Sequence, residues 1–226
     1  MSKYPQQLLL ALGLIGAATL PASAAIYNDS LGDNFDGNAH MDIASVEVTN
    51  DATNITVKVT LNGPIGSPND WGKYMMGIDS AAGGDSAGNG WARPISMPGM
   101  DYWIGSWVDS GGGVQLFLYN GSSWVGQAAP TQSIGTNSVT WTVPQASLGL
   151  TIGNSFNFDV YTAGGGSGDS ANDASSNPSQ STTGWGGPYN SNALVSSYTL
   201  TPVPEPAVLG LFSLAGLSLV RRRNRA

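Results

Sequence analysis

Residues 54–61 alternate strictly, with Ile55, Val57, Val59 and Leu61 on one side and Thr56, Lys58 and Thr60 on the other. That two-residue period marks a strand with one buried face. Residues 42–49 alternate too, through Ile43, Val46 and Val48, with a break at Ala44 and Ser45. Asn50, Asp51 and Ala52 turn the chain between the two runs, so the pair reads as a hairpin. Further strands are predicted over 71–79, where Tyr74, Met76 and Ile78 share a face, and over 101–108, 114–119, 123–126, 139–143, 156–161 and 195–200. The Asn120-Gly121 pair is a turn signal between the fifth and sixth of these strands. Residues 146–150 suit one helical turn, and no sustained helical period occurs elsewhere in the central region. Many short strands at close spacing in a glycine-rich chain predict an all-β fold, an antiparallel β-sandwich over residues 25–201.

Two stretches break the spacing. Residues 80–100 and 164–192 are rich in Gly, Ser, Asp and Asn, and loops of that length inside a domain are usually functional or disordered. The two ends of the chain have a different composition. Lys3, the apolar run 8–20 and the Pro21-Ala22-Ser23-Ala24 site read as a secretory signal peptide, residues 1–24, cut after Ala24. Residues 202–226 carry Pro202, Val203, Pro204, Glu205 and Pro206, then fourteen apolar or small residues, then Arg221, Arg222, Arg223 and Arg225. As a hydrophobic helix that run spans about 21 Å, short of the roughly 30 Å hydrocarbon core. The arginines hold its end on the cytoplasmic side and leave the preceding domain outside.

The order of Val203, Pro204, Glu205 and Pro206, an apolar run and a terminal arginine cluster closely resembles the PEP-CTERM sorting signal. The resemblance implies processing by an exosortase, a membrane cysteine transpeptidase of bacteria that make extracellular polysaccharide. It also implies transient inner-membrane anchoring, cleavage near residues 203–206, and delivery to the cell surface or extracellular matrix of a Gram-negative bacterium. A second resemblance covers most of residues 40–162. Gly77-Ile78-Asp79, a glycine-rich loop, Asp101-Tyr102-Trp103-Ile104, the strand 114–119 leading to Trp124, and Trp141-Thr142-Val143-Pro144 before Leu148-Gly149 are similar to the DOMON-like sandwich. That jelly-roll group includes the family-nine carbohydrate-binding modules, so the resemblance implies the fold and a bias towards sugar binding.

Charge narrows the partners. The chain carries −7 overall, but between residues 25 and 201 only Lys58, Lys73 and Arg93 oppose fourteen acids, a net −11. Such a surface repels phosphate backbones and argues against nucleic acid, leaving a neutral polysaccharide or calcium. With no cysteine, disulfides, thiolate metal sites and cysteine nucleophiles are excluded.

Tryptophan faces stack well on sugars, and the chain has seven tryptophans. Trp141 lies inside an alternating strand and reads as core, and Trp71 as structural. Trp103 and Trp107 share a face opposite Tyr102, Ile104 and Val108, and form either an open platform or a second buried layer. Trp91, Trp185 and Tyr189 sit in the long loops, where they pin the loop or meet a ligand. Asp79, Asp85 and Asn89 in one loop, and Asp169 and Asp173 with Asn172 and Asn177 in the other, offer hard oxygens of the kind Ca2+ takes. The spacing is not that of an EF-hand, and turn chemistry accounts for the same residues.

Catalysis is not expected. His40 is the one histidine and reads as a surface or turn residue, which leaves no histidine pair for zinc and no serine motif around it. Asp79 with Asp101 or Asp109 are the carboxylates available for glycoside hydrolysis, and Glu47, the domain's one glutamate, faces away from the apolar side of its strand. The expectation is therefore a non-catalytic polysaccharide-binding protein, with a purely structural or adhesive matrix (biofilm) protein as the alternative and a glycoside-active enzyme third.

Overall fold

A computed structural model describes residues 24–177, 179, 184–191 and 195–203. The chain divides into two units, Pro21–Pro202 and a second made of Met1–Leu20 with Val203–Ala226. Residues 1–23 of the expected signal peptide, and the expected sorting motif from Pro204 to Arg223, lie outside the described residues. Among the described residues no helix is long and apolar enough to cross a membrane.

The domain is built of antiparallel β-sheet with almost no helix. In order come β1 (Ala25–Asn28), a 3-10 turn (Ala39–Met41), β2 (Ile43–Asn50), β3 (Asn54–Leu61), β4 (Lys73–Asp79), β5 (Ile95–Ser96), β6 (Tyr102–Trp107) and β7 (Gly113–Tyr119). Then follow β8 (Trp124–Gly126), β9 (Thr131–Ile134), β10 (Ser138–Pro144), a second 3-10 turn (Gln145–Leu148), β11 (Ser155–Ala163), β12 (Ala171–Ala174), β13 (Tyr189–Asn190) and β14 (Ser196–Thr199). One sheet has the order β1-β2-β3-β10-β9. The other has the order β12-β11-β4-β6-β7-β8, with β14 also on β11. The two-residue strands β5 and β13 pair in parallel outside both sheets.

The predicted hairpin is present, with Val46 opposite Val59 and Val48 opposite Val57. Its register shifts between Ile43 and Ser45, at the break in the apolar alternation. One extra residue there returns Ile43 to the face that Val46 and Val48 occupy, since the side-chain period is two. The inner faces of both sheets meet in one core. Ile43, Val46, Val48, Ile55, Val57, Val59, Leu61 and Trp141 come from the first sheet; Tyr74, Met76, Ile78, Ile104, Leu116, Phe158 and Val160 come from the second. Trp141 is fully buried and its indole N–H donates to Ser106 Oγ at 3.1 Å, so its one polar atom is satisfied inside the core.

The second sheet is also apolar on its outer face, and the two long loops cover it. Met75, Trp103, Tyr161 and Ala163 of the sheet pack with Ile95, Met97 and Met100 of the first loop, and with Ala171, Ala174 and Tyr189 of the second. The loops therefore carry structure of their own, β5, β12 and β13. Trp91 lies over β6 so closely that a Cβ at Gly105 would fall inside its ring, and Trp107 lies over Gly113 in the same way. Trp71, read as the start of a strand, instead precedes β4 by two residues.

Replacing Gly105 with Ala should therefore lift Trp91 off the sheet and cost on the order of 1–3 kcal/mol, the usual penalty of overpacking. Gly126→Ala is the matched control, since nothing lies within 4 Å of the added methyl. Urea denaturation of the two variants checks this: equal midpoints would mean that the loop does not bear on the sheet.

Candidate metal centre

Sequence places four acids between Asp29 and Asp42, and the fold draws three of them into one corner. Asp29 directly follows β1, where its backbone N–H donates to Ala44 O at 3.1 Å and fixes it beside β2. Asp33 lies in the turn that follows. Asp42 precedes β2, and its Oδ2 accepts from Gly32 N and from Asn62 Nδ2, both at 2.8 Å. Asp173 arrives from β12 of the opposite sheet, fully buried, with Oδ2 accepting from Ile43 N at 2.7 Å and Oδ1 from Ala174 N at 2.8 Å. Asp29, Asp33 and Asp173 each bring a carboxylate oxygen to within 4.8 Å of the others.

Electrostatics at this corner are unfavourable for bare carboxylates. Burial, more than any other cause, raises all three pKa values. Asp29 is pushed up to about 7, with Asp33, Asp159 and Asp42 adding to the effect. Asp173 is pushed up to about 8, against the pull of the Ile43 and Ala174 amides. The domain's cations are engaged elsewhere. Lys73 Nζ meets Asp109 at 2.9 Å, Arg93 donates to Asp169 O and Gly164 O, and Lys58 is exposed opposite Glu47.

Of the loop residues expected to offer oxygens to calcium, Asp173 belongs to this cluster. The others serve their own loops. Asp85 accepts from Ala87 N, Gly88 N and the Trp124 indole; burial works to raise its pKa, and these bonds bring it below the ordinary carboxylate range. Asn89 is buried, with Nδ2 donating to Arg93 O and Ile95 O and Oδ1 accepting from Trp91 N. Asp79 accepts from Asn157 Nδ2 at 3.1 Å, beside a cavity of about 290 Å³, and Asp169 accepts from Gly166 N at 2.8 Å. Sequence reasoning missed Asp29, Asp33 and Asp42, although four acids in fourteen residues is the signal that marks them.

The aromatic candidates separate by exposure. Trp103 is fully buried and stacks on Tyr161 at 5.8 Å, so the face it shares with Trp107 is the buried layer and not an open platform. Tyr189 is buried edge-on to Tyr161. Trp91 and Trp107 are half-buried, their rings 6.4 Å apart, and Trp91 Nε1 donates to Gln115 Oε1 at 2.8 Å. Trp185 is 37% exposed and meets Phe35 and Trp71 edge-on at 5.0 and 6.0 Å. His40 is buried in the first 3-10 turn against the Trp71 ring, not on the surface, and burial lowers its pKa. No protein-family model matches the chain, and no curated protein matches it.

Asp159 gives this region a pH dependence of its own. It is fully buried under β12 and accepts from Val160 N, Ser175 Oγ, Ser176 N and Oγ, and Ser191 Oγ. Burial nevertheless pushes its pKa up to about 6. The folded state thus holds a proton that the unfolded state has released, and the contribution of Asp159 to stability falls as pH rises from about 4 to about 6, then levels. Asp159→Asn should remove roughly 3 kcal/mol of that decline. Denaturation curves of both proteins across pH 4–7 check it; parallel profiles would show that Asp159 is already charged at the acid end.

Proposed function

We propose that this chain is a non-catalytic exported protein with a DOMON-like carbohydrate-binding sandwich, sorted by an exosortase through residues 202–226. In this reading it binds polysaccharide at the cell surface or in the extracellular matrix. The observation that carries the reading is where the folded domain starts and stops. Among the described residues its first strand begins at Ala25, the residue after the predicted signal-peptide cut. Its last tie lies just before the proline-rich tail: Asn50 Nδ2 donates to Thr201 O at 2.9 Å, while Asn50 Oδ1 accepts from Thr201 N and from the Tyr198 hydroxyl. Among the described residues every strand from β1 to β14 finds its partner within residues 25–199, which suits a cargo from which both terminal segments are removed.

Glycan binding is supported by Trp185. It is the tryptophan with the largest exposure among the described residues, held at a fixed angle by Trp71 and Phe35. A rigid, half-open indole stacks on a pyranose with little loss of entropy. The structural-matrix alternative draws on Val125 and Ile134, exposed on the edge strands β8 and β9. Open edges bearing apolar side chains favour lateral association of chains.

Two outcomes are expected. Protein recovered outside cells with a working exosortase should, by mass spectrometry, lack residues 1–24 and the segment 207–226. Mature protein that retains Arg221, Arg222, Arg223 and Arg225 and stays in the inner membrane rules sorting out. Separately, Trp185→Ala should lose at least tenfold in affinity for the host's soluble polysaccharide, about 1.4 kcal/mol, while keeping its β-type circular dichroism. Absence of binding by the wild type across the host's matrix glycans would favour the structural alternative.

A further inference from the structure

The acidic corner holds more unanswered oxygens than turn chemistry explains. Asp29 Oδ2 and both oxygens of Asp33 are shut off from solvent without a hydrogen-bond partner. A separate residue repeats the pattern: Asp42 is 1% exposed, and its Oδ1 has no partner either. Its charge acts on both Asp29 and Asp33, and its chain neighbour Ile43 donates its amide to Asp173.

We propose that Asp29, Asp33 and Asp173 bind one Ca2+, with Asp42 completing the acidic lining, and that the ion ties β1 and the start of β2 to β12 of the opposite sheet. Buried carboxylates without partners are expensive, and a bound cation is the usual resolution. Hard oxygens select a hard cation. The spacing fits one ion. Ligands 2.3–2.6 Å from Ca2+ stand at most about 5 Å apart across it, and the three carboxylates bring oxygens within 4.8 Å of one another. Mg2+ demands a smaller octahedron near 2.1 Å, whose opposite ligands stand only about 4.2 Å apart, and it dehydrates reluctantly. The inference stands apart from the sorting and glycan readings, since it concerns the folded domain alone.

The test uses the full chain, purified and stripped with EGTA, and follows thermal unfolding and calorimetric titration with CaCl2. Saturating Ca2+, a hundredfold above its Kd, should raise the Tm by about 5–10 °C with one ion bound per chain. MgCl2 at the same concentration should do much less; an equal shift overturns the assignment to calcium. Asp33→Asn is the informative variant, because Asp33 accepts no bond from a neighbouring residue and its loss leaves the fold's hydrogen bonds intact. It should melt no lower than wild type in EGTA, since it removes like-charge repulsion, and should lose the Ca2+ shift. Asp85→Asn should keep that shift. An unchanged wild-type Tm across EGTA and millimolar CaCl2, or an Asp33→Asn variant that responds as wild type does, refutes the site.

Discussion

One sheet of this domain is apolar on both faces, and the arrangement of everything else follows from keeping water off each. The inner face is closed by β1-β2-β3-β10-β9, as in any two-layer sandwich. The outer face would expose Met75, Trp103 and Tyr161 if the chain simply turned back, so the first loop, through Ile95, Met97 and Met100, and the described part of the second, through Ala171, Ala174 and Tyr189, are laid across it. With no cysteine to staple these loops, their attachment rests on Trp91, Ile95, Met97, Met100 and Tyr189 packing downward, and on the short β5–β13 pairing that joins one loop to the other. A chain of this size has enough interior for that.

The same closure creates the domain's electrostatic difficulty. Bringing β12 against β11 buries Asp159 and Asp173 with hydrogen bonds but no countercharge, and Asp29 and Asp33 join from the far sheet. Hydroxyls and amides soften this for Asp159, where five donors converge. Asp33 has no such cradle: both of its oxygens are without a hydrogen-bond partner from another residue. Two solutions to one problem therefore sit side by side: a serine-rich cradle that can hold a charge or a proton, and a corner shaped for an ion.

Much of the sandwich was legible in the sequence because its first sheet obeys a local rule. β3 and β10 alternate, and the break in β2 announces its bulge. Of the second sheet, β4 was legible through Tyr74, Met76 and Ile78, but nothing local says that Met75 and Gly77 are also covered. β12 was illegible: Ala171, Asn172, Asp173 and Ala174 read as loop, yet they pair with β11, and Asp36 N and Ile43 N donate to the side chains of Asn172 and Asp173 across more than a hundred residues. For the same reason Asp173 could be singled out as an oxygen donor while its neighbours in space could not. Asp29 and Asp33 lie more than 130 residues away in the chain, and only the closing of the sandwich brings them near.

The lid over the second sheet reverses the usual advice on where this protein tolerates change. By composition, residues 80–100 and 164–191 resemble spacer: glycine, serine, asparagine, the segments one would choose for an epitope tag, a fluorophore or a protease site. By packing their described parts roof a second interior, and Gly105 beneath the first of them is bare because the Trp91 ring occupies the space a side chain would take. Real slack is found at Gly126 on the edge strand β8, where an added methyl meets nothing and the backbone is not left-handed. For this molecule, glycine content measures closeness of approach as often as it measures looseness, and a probe placed by composition alone would open the second core.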